Sequence, residues 1–199
     1  MDATTQECIM TRYVDRERYE TVLPLLVSLN NQGLHPYGVT MDGHRYVIQA
    51  IKNVWPQITL QRCLFHIQRE GLRWLRTYPK TEAGKQLKAL LSTLSSIRTI
   101  VESDTFISSF DSWKRRYHSF VKSLPKTTVA FKDLKRTMAL ITHALPDMFH
   151  YLKVPGIAST TNMLEGFYSH LKSDYHRHNG MSKNHRIAYL KWYCYFKSN

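Results

Sequence analysis

The alternation of strand-like and helix-like segments over the first 78 residues constrains the fold of this chain more than any other feature. Short apolar runs there are typical of buried strands, and the segments between them carry apolar residues at helical spacing. The predicted strands are 6–14, 37–41 and 58–63, and the predicted helices are 16–31, 44–54 and 66–78. This alternation predicts an α/β fold, in which helices pack on the faces of a sheet.

The pattern becomes entirely helical between residues 79 and 150. Three groups of apolar residues recur there at intervals of three and four positions, as in amphipathic helices. The groups are Leu87 to Leu94, Phe106 to Leu124, and Leu134 to Leu145. We therefore expect residues 79–150 to be an all-helical insertion in an α/β core. The two parts of that core are 1–78 and 151–199, and the second part contains predicted helices at 160–175 and 183–196.

Asp42 lies at the end of the predicted strand 37–41 and is followed by Gly43. A carboxylate at the end of a strand is held rigidly, and a glycine beside it lets a ligand approach the backbone closely. Hard divalent cations such as Mg²⁺ prefer oxygen ligands of this kind. The alternative interpretation is that Asp42 only begins the helix at 44–54, since Asp is a favoured N-cap residue.

Glu165 is the second carboxylate of interest, and it lies near the start of the predicted helix 160–175. One side of this helix carries polar residues three and four positions apart, namely Asn162, Glu165, Ser169, Lys172 and His176. An acid combined with a lysine and a histidine suits a metal site that opens onto a phosphate backbone. Two other interpretations stay open: Asn162 and Glu165 have capping-box spacing, and a solvated helix face has a similar composition.

The charge of the chain favours a polyanionic partner. It carries 28 Lys and Arg residues against 15 Asp and Glu residues, a formal net charge of +13. Nucleic acid fits this excess better than a membrane surface, because no apolar run approaches the roughly 20 residues of a spanning helix. A solely solubilising role for the charge stays open. The candidate nucleic-acid-binding residues are Lys172, His176, Arg177, Lys183 and Arg186.

The three cysteines, Cys8, Cys63 and Cys194, are odd in number and widely separated, and no Cys-x-x-Cys pair occurs. This arrangement disfavours a disulfide framework and a four-cysteine zinc site. It fits a reducing setting, so we expect a cytoplasmic, nucleoid-associated protein. Cys63 and His66 have the spacing of half a zinc site, but no second pair with suitable spacing follows. We interpret them instead as groups that position the metal ligands beside the end of the strand that carries Asp42.

Four short signatures occur in a fixed order along the chain. They are Gly33-Leu34-His35-Pro36 leading to Val39-Thr40-Met41-Asp42-Gly43, then Trp55-Pro56, then Gln61-Arg62-Cys63-Leu64-Phe65-His66, and finally Thr160-Thr161-Asn162-x-x-Glu165-Gly166. Each is weak alone, but their order and the helical insertion before the last one are fairly specific. Over roughly residues 15–195 the chain resembles transposases with an RNase H-like catalytic domain. The resemblance is closest to the bacterial insertion-sequence relatives of Mutator-like elements.

The resemblance implies an activity and a set of site residues. In the family, two Asp and one Glu hold two divalent ions, Mg²⁺ or Mn²⁺, which promote donor-strand cleavage and strand transfer into target DNA. Asp42 matches the second aspartate and Glu165 the glutamate, so both are expected catalytic residues and metal ligands. Cys63 and His66 match a Cys/Asp-x-x-His signature with a positioning role, and Asn162 belongs to the glutamate signature. The expected partner is double-stranded DNA, as transposon ends and as target, and a homo-oligomer stays open.

The sequence departs from the family at its front. The family's first aspartate lies on the first strand of a five-stranded sheet, whereas only one predicted strand, 6–14, precedes the first predicted helix here. That strand corresponds best to the third. We therefore expect a partial RNase H-like fold without its first two strands and first aspartate, inactive by itself and of doubtful independent stability. Two alternatives stay open: a non-catalytic DNA-binding protein derived from a transposase, and an RNase H-like nuclease or resolvase, which the insertion disfavours.

Overall fold

The structure, a computed structural model, describes residues 1–5, 7–12, 14, 16–178 and 180–198. Within them the chain is α/β and mostly helical, with a two-stranded parallel sheet made of β1 (Gly38–Met41) and β2 (Thr59–Arg62). The helices are α1 (Tyr19–Asn31), α2 (Arg45–Val54), α3 (Leu64–Leu75), α4 (Glu82–Ser92), α5 (Ile100–Ser123), α6 (Val129–Ala144), α7 (Asn162–Arg177) and α8 (Lys183–Ser198). Short 3₁₀ turns occupy Leu94–Ser96, Leu145–Asp147 and His150–Leu152. The predicted α/β class is confirmed, and each predicted helix is present with ends that differ by a few residues.

The two strands place their carboxyl ends at one edge of the sheet. Gly38 pairs with Thr59 and Met41 with Arg62 in parallel register. Parallel strands need a crossover connection, and α2 provides it. The carbonyl of Met41 accepts a hydrogen bond from the backbone N–H of Cys63 at 2.7 Å. The residues that follow the strands, Asp42 and Cys63, therefore leave the sheet at the same edge.

The strand predicted over 6–14 is wrong for the residues that the structure describes there. Residues 7–12 and 14 form no strand, and Gln6 and Tyr13 lie outside the described residues. The side chain of Ile9 is 43% exposed, so the segment lies at the surface instead of in a sheet. An apolar run forms a strand only where a neighbouring strand satisfies its backbone, and the described sheet consists of β1 and β2 alone.

Most of the buried side chains lie in a helical core formed by α3 to α6. Leu87, Leu91, Phe110 and Ile141 are each 0% exposed there. The helix α3 contributes Leu64, Ile67 and Leu75 to the same core, although it begins directly after β2. The proposed boundaries of the insertion, 79 and 150, stay a prediction. What the packing shows is that α3 connects the sheet edge to the helical core.

Residues 155–161, which we call the return segment, bring the chain back to the sheet edge after the helical core. The hydroxyl of Thr40 donates to the carbonyl of Ala158 at 2.5 Å. The carbonyl of Ser159 accepts a hydrogen bond from the backbone N–H of Leu64 at 3.0 Å. These two contacts fix the start of α7 against the ends of both strands. Over the described ranges, no helix has the length and apolar character needed to cross a membrane.

Candidate metal and active site

A thiol, an imidazole and a carboxylate converge at the carboxyl edge of the sheet. The Sγ atom of Cys63 lies 3.2 Å from Nδ1 of His66, and Oε1 of Glu165 lies 3.3 Å from the same nitrogen. Each residue offers one ligand atom, and these atoms lie within 4.8 Å of one another. Among the residues that the structure describes, no other set of three or more His, Cys, Asp or Glu side chains lies this close together.

The first turn of α3 positions two of these side chains. Cys63 is the N-cap residue of α3 and has an extended backbone, with φ −60° and ψ 111°. His66 follows three positions later, so its ring lies above the cysteine on the same side of the helix. Cys63 is buried, with 0% of its surface exposed. The backbone N–H and the hydroxyl of Thr161 both lie 3.3 Å from Sγ and donate toward it.

Glu165 reaches the group from α7, in a different part of the chain. Its Oε2 atom accepts a hydrogen bond from Nη1 of Arg69 at 3.3 Å, whereas Oε1 is buried and has no hydrogen-bond partner. Nδ1 of His66 lies within hydrogen-bonding distance of the Cys63 sulfur and at 3.3 Å from Oε1. The N-cap residue of α7 is Thr161, and its side chain makes no cap hydrogen bond. The capping-box interpretation is therefore wrong, because the carboxylate faces α3.

Asp42 lies at the same sheet edge but is not a member of the three-residue group. Its Oδ1 atom accepts a hydrogen bond at 3.1 Å from the backbone N–H of His44, the N-cap residue of α2. The N-cap residue of α2 is therefore His44, and Asp42 contacts the start of the helix from two positions before it. The capping interpretation is correct in that Asp42 bonds to the start of α2, but Asp42 is not the N-cap residue itself. The residue is exposed.

Arg62 fixes the backbone at Asp42 from the end of β2. Its Nη2 atom donates to the carbonyl of Asp42 at 3.2 Å, and the residue is only 8% exposed. Burial lowers the pKa of this guanidinium, and the charges of Asp147, Asp42 and Cys63 oppose the shift. Gly43 has φ +97°, and a Cβ atom there would overlap the guanidinium. The close approach of Arg62 to the turn after β1 therefore requires glycine at this position.

The predicted nucleic-acid-binding residues lie on α7 and α8, and all of them are exposed. Aromatic rings join these two helices: Tyr175 and Tyr189 have ring centroids 6.4 Å apart, and Phe167 and Tyr193 have centroids 5.9 Å apart. These aromatics thus pack between the helices. The positions in question are Lys172, His176 and Arg177 on α7, and Lys183 and Arg186 on α8, with Asn162 exposed at the first turn of α7.

Sequence reasoning placed Cys63, His66 and Glu165 at one site but missed two residues that contact them. Arg69 is one helical turn beyond His66, and this spacing is the signal that could have placed its guanidinium beside the group. Thr161 lies inside the fourth signature, directly before Asn162, but its contact with Sγ depends on how the return segment docks. Sequence spacing alone does not determine that contact.

Comparison with known families supports the resemblance. The sequence model of the Mutator family of transposases matches residues 4–177, a region that includes the sheet, the helical core and α7. Neither a search of curated proteins nor a search of solved structures returned a match. The family match covers most of the 199 residues and contains all four members of the site, namely Asp42, Cys63, His66 and Glu165. The chain therefore belongs to the Mutator family of transposases.

Proposed function

We propose that this chain carries part of the active site of a DDE-type DNA transposase with an RNase H-like fold, in which Asp42 and Glu165 are two of the three acids. The observation that carries the proposal is the position of Glu165. Its carboxylate is presented at the carboxyl edge of a parallel sheet, where Oε1 is buried without a hydrogen-bond partner. A buried carboxylate oxygen without a partner is energetically unfavourable unless a cation completes its surroundings.

The two carboxylates fit a hard divalent ion such as Mg²⁺ or Mn²⁺ by their chemistry. Both lie around Cys63: Asp42 follows Met41, which is hydrogen-bonded to Cys63, and the carboxylate of Glu165 lies within 4.8 Å of Sγ. Mg²⁺ is usually held by one or two carboxylates together with waters and substrate phosphates. When bound, such an ion would activate the attacking oxygen and stabilise the leaving oxygen in phosphoryl transfer.

The other residues of the site would hold the substrate and the ligands in place. Arg69 fixes the orientation of Glu165 through Oε2, and its side chain is 48% exposed, so it can also contact a phosphate. Arg62 and Gly43 fix the backbone of Asp42. The exposed cations of α7 and α8 would neutralise phosphates along the DNA beyond the site.

We further propose that the chain does not complete transposition by itself. The family's chemistry uses three acids, and in the described residues the metal-ligating group holds one carboxylate, that of Glu165, with Asp42 near it. Among the described residues, that group contains no aspartate. A purified chain would therefore bind DNA and a divalent ion without joining DNA ends.

Manganese binding tests this proposal without relying on activity. Free Mn²⁺ gives a strong electron paramagnetic resonance signal that is lost on binding, so the affinity of the purified chain can be titrated directly. We expect Asp42→Asn and Glu165→Gln each to weaken Mn²⁺ binding about tenfold or more, because each removes a charged ligand. Asp111→Asn is the matched control, since Asp111 lies on α5 and pairs with Lys114. Binding that neither site variant changes would refute the assignment.

A strand-transfer assay then tests the role of the two acids, and the dependence of DNA binding on divalent ions separates the proposal from its alternative. With Mg²⁺ or Mn²⁺ present, we expect the chain to bind transposon-end DNA but to give no joined product. Joined product that persists in Asp42→Asn and Glu165→Gln would contradict the role of these acids. The second candidate is a DNA-binding protein derived from a transposase, which the exposed cations on α7 and α8 favour. DNA affinity independent of divalent ions, together with no Mn²⁺ site at Asp42, would support that candidate.

A further inference from the structure

The group formed by Cys63, His66 and Glu165 has an arrangement that a catalytic acid–base relay does not explain. In a thiol–imidazole–carboxylate triad, the thiol and the carboxylate contact different nitrogens of the ring. Here Sγ and Oε1 both lie against Nδ1, at 3.2 and 3.3 Å. One N–H cannot donate fully to both atoms, and Oε1 is indeed left without a hydrogen bond. Three potential ligand atoms therefore face one another around a common point.

The two separations that involve Nδ1 of His66 match those around a tetrahedral metal ion. Zinc binds sulfur at about 2.3 Å, and nitrogen or oxygen at about 2.0–2.2 Å, so tetrahedral angles separate two ligand atoms by about 3.3–3.6 Å. The observed separations from Nδ1 of 3.2 and 3.3 Å are close to these values. The ion would lie between the three atoms, and a small outward shift of the ligands would accommodate it.

The surrounding contacts are those that metal ligands need. Thr161 directs two donors at the sulfur of Cys63, and these contacts fix the position of the sulfur. Arg69 holds Oε2 of Glu165, which leaves Oε1 as the ligand oxygen. Thiolate and imidazole are ligands for transition metals and are poor ligands for Mg²⁺. The donor set therefore selects a different ion from the one expected at the carboxylates.

We propose that Cys63, His66 and Glu165 bind one transition-metal ion of the zinc type, with a fourth coordination position left open. The proposal goes beyond the proposed function and shares only Glu165 with it. Three protein ligands with an open position are typical of zinc sites that bind water or a substrate oxygen. Because both ions would use Glu165, zinc and Mn²⁺ are expected to compete for this carboxylate.

Cobalt titration tests the proposal, because Co²⁺ replaces zinc and reports a bound thiolate by a charge-transfer absorption band. The protein is the full chain without an affinity tag, kept reduced by a non-thiol reductant. The double variant Cys8→Ser/Cys194→Ser leaves Cys63 as its only cysteine. We expect this variant to show the band at one Co²⁺ per chain. Stoichiometric Zn²⁺ should abolish the band, and a large excess of Mg²⁺ should leave it unchanged.

Variants of the three ligands identify the site. We expect His66→Gln and Glu165→Gln to weaken Co²⁺ binding about tenfold or more, and Cys63→Ser in the wild-type background to remove the charge-transfer band. Asp111→Asn should change none of these values. Circular dichroism confirms that each variant is folded. The proposal is overturned if the double variant shows no band, or if the band persists in Cys63→Ser.

X-ray absorption at the zinc edge keeps the proposal testable if Cys63→Ser does not fold. The zinc-loaded double variant should show one sulfur ligand together with nitrogen and oxygen ligands. A shell of nitrogen and oxygen alone would overturn the proposal. Neither readout uses DNA or Mn²⁺, so a failed cobalt test with successful Mn²⁺ binding would leave the proposed function standing, and the reverse result would remove that function alone.

Discussion

Glu165 is the residue on which both proposals for this site depend. Its two carboxylate oxygens have different surroundings: Oε2 is held by Arg69, and Oε1 is buried without a hydrogen-bond partner. An unsatisfied buried polar atom typically costs about 1–3 kcal/mol of stability. A bound cation would remove this cost. Both proposals therefore begin from the same oxygen atom and differ in the ligands that join it.

Gly43 is expected to be essential for the turn that follows β1. Its φ of +97° strains any other residue, and the guanidinium of Arg62 occupies the space that a side chain would need. We expect Gly43→Ala to lower the free energy of unfolding by about 1–3 kcal/mol. Urea unfolding monitored by circular dichroism measures the change.

Gly166 provides the matched control for that substitution. It lies inside α7, and a Cβ atom there would meet nothing within 4 Å. Because alanine favours a helix more than glycine does, we expect Gly166→Ala to raise the free energy of unfolding by about 0.5–1 kcal/mol. Equal effects of the two substitutions would show that the turn at Gly43 does not require glycine.

At the scale of the elements, α3 carries both the site and the core. Its N-terminal turn presents Cys63 and His66, and its remaining length buries Leu64, Ile67 and Leu75 in the helical core. The site is therefore attached to the most extensively packed part of the molecule. This attachment is what a site needs if its ligands are to keep their positions when an ion binds.

The elements show which parts of the fold the sequence could predict. The runs at 37–41 and 58–63 are partly or fully buried in a parallel pair, so their pattern was sufficient. The run at 6–14 has a similar mixture of apolar and polar residues, but whether a strand forms there depends on a partner strand, which local sequence does not specify. The capping-box spacing of Asn162 and Glu165 was similarly misleading. Contacts between residues 118 positions apart fix the return segment, and they turn Glu165 toward α3 instead of its own cap.

The capping box at the start of α5 gives a prediction about pH. The carboxylate of Glu102 accepts hydrogen bonds from the backbone N–H groups of Arg98 and Thr99, at 2.6 and 2.9 Å. These bonds, first that of Arg98, lower the pKa of Glu102 below its ordinary value of 4.5. The resulting stability is present above the unfolded-state pKa and is lost as the pH falls through the folded-state pKa.

Glu102→Gln should therefore change how stability depends on pH. The glutamine cannot titrate, so we expect the wild type to lose more stability than the variant as the pH falls from about 6 to about 3. Urea midpoints measured across this range test the expectation. If the difference in stability between the two proteins stays constant with pH, the folded state does not stabilise the ionised carboxylate of Glu102.

At the scale of the whole molecule, the described residues form two hydrophobic cores of unequal size. The helical core contains 16 buried hydrophobic residues, whereas the core beside the sheet contains three, Met41, Ile51 and Leu60. Local stability depends on the apolar surface that a region buries. The sheet, which carries Asp42, is therefore expected to open more readily than the helices.

Hydrogen exchange under native conditions tests this difference between the cores. We expect the amide of Cys63, which is hydrogen-bonded to the carbonyl of Met41, to exchange through a lower-energy opening than the amides of Phe110 and Ile141.

Phe110→Ala should lower the opening energy of the helical core by about 3–5 kcal/mol, because Phe110 is 0% exposed. Phe120→Ala is the control on the same helix, since Phe120 is 38% exposed, and we expect about 1 kcal/mol or less. Equal opening energies in both regions would indicate a single cooperative unit.

The charge of the whole molecule predicts how its DNA binding depends on salt. A protein that neutralises phosphates releases counterions, so the logarithm of its affinity falls linearly with the logarithm of salt concentration. If α7 and α8 contact DNA, Lys172→Gln and Arg186→Gln should each reduce the slope by about 0.9. Lys85→Gln removes the same charge from α4, where Lys85 pairs with Glu82, and should leave the slope unchanged.

Fluorescence anisotropy with duplex DNA at several salt concentrations measures the affinity of the wild type and of the three variants. Equal reductions in all three variants would show that binding depends on net charge alone, whereas a loss confined to α7 and α8 would place the DNA beside Glu165.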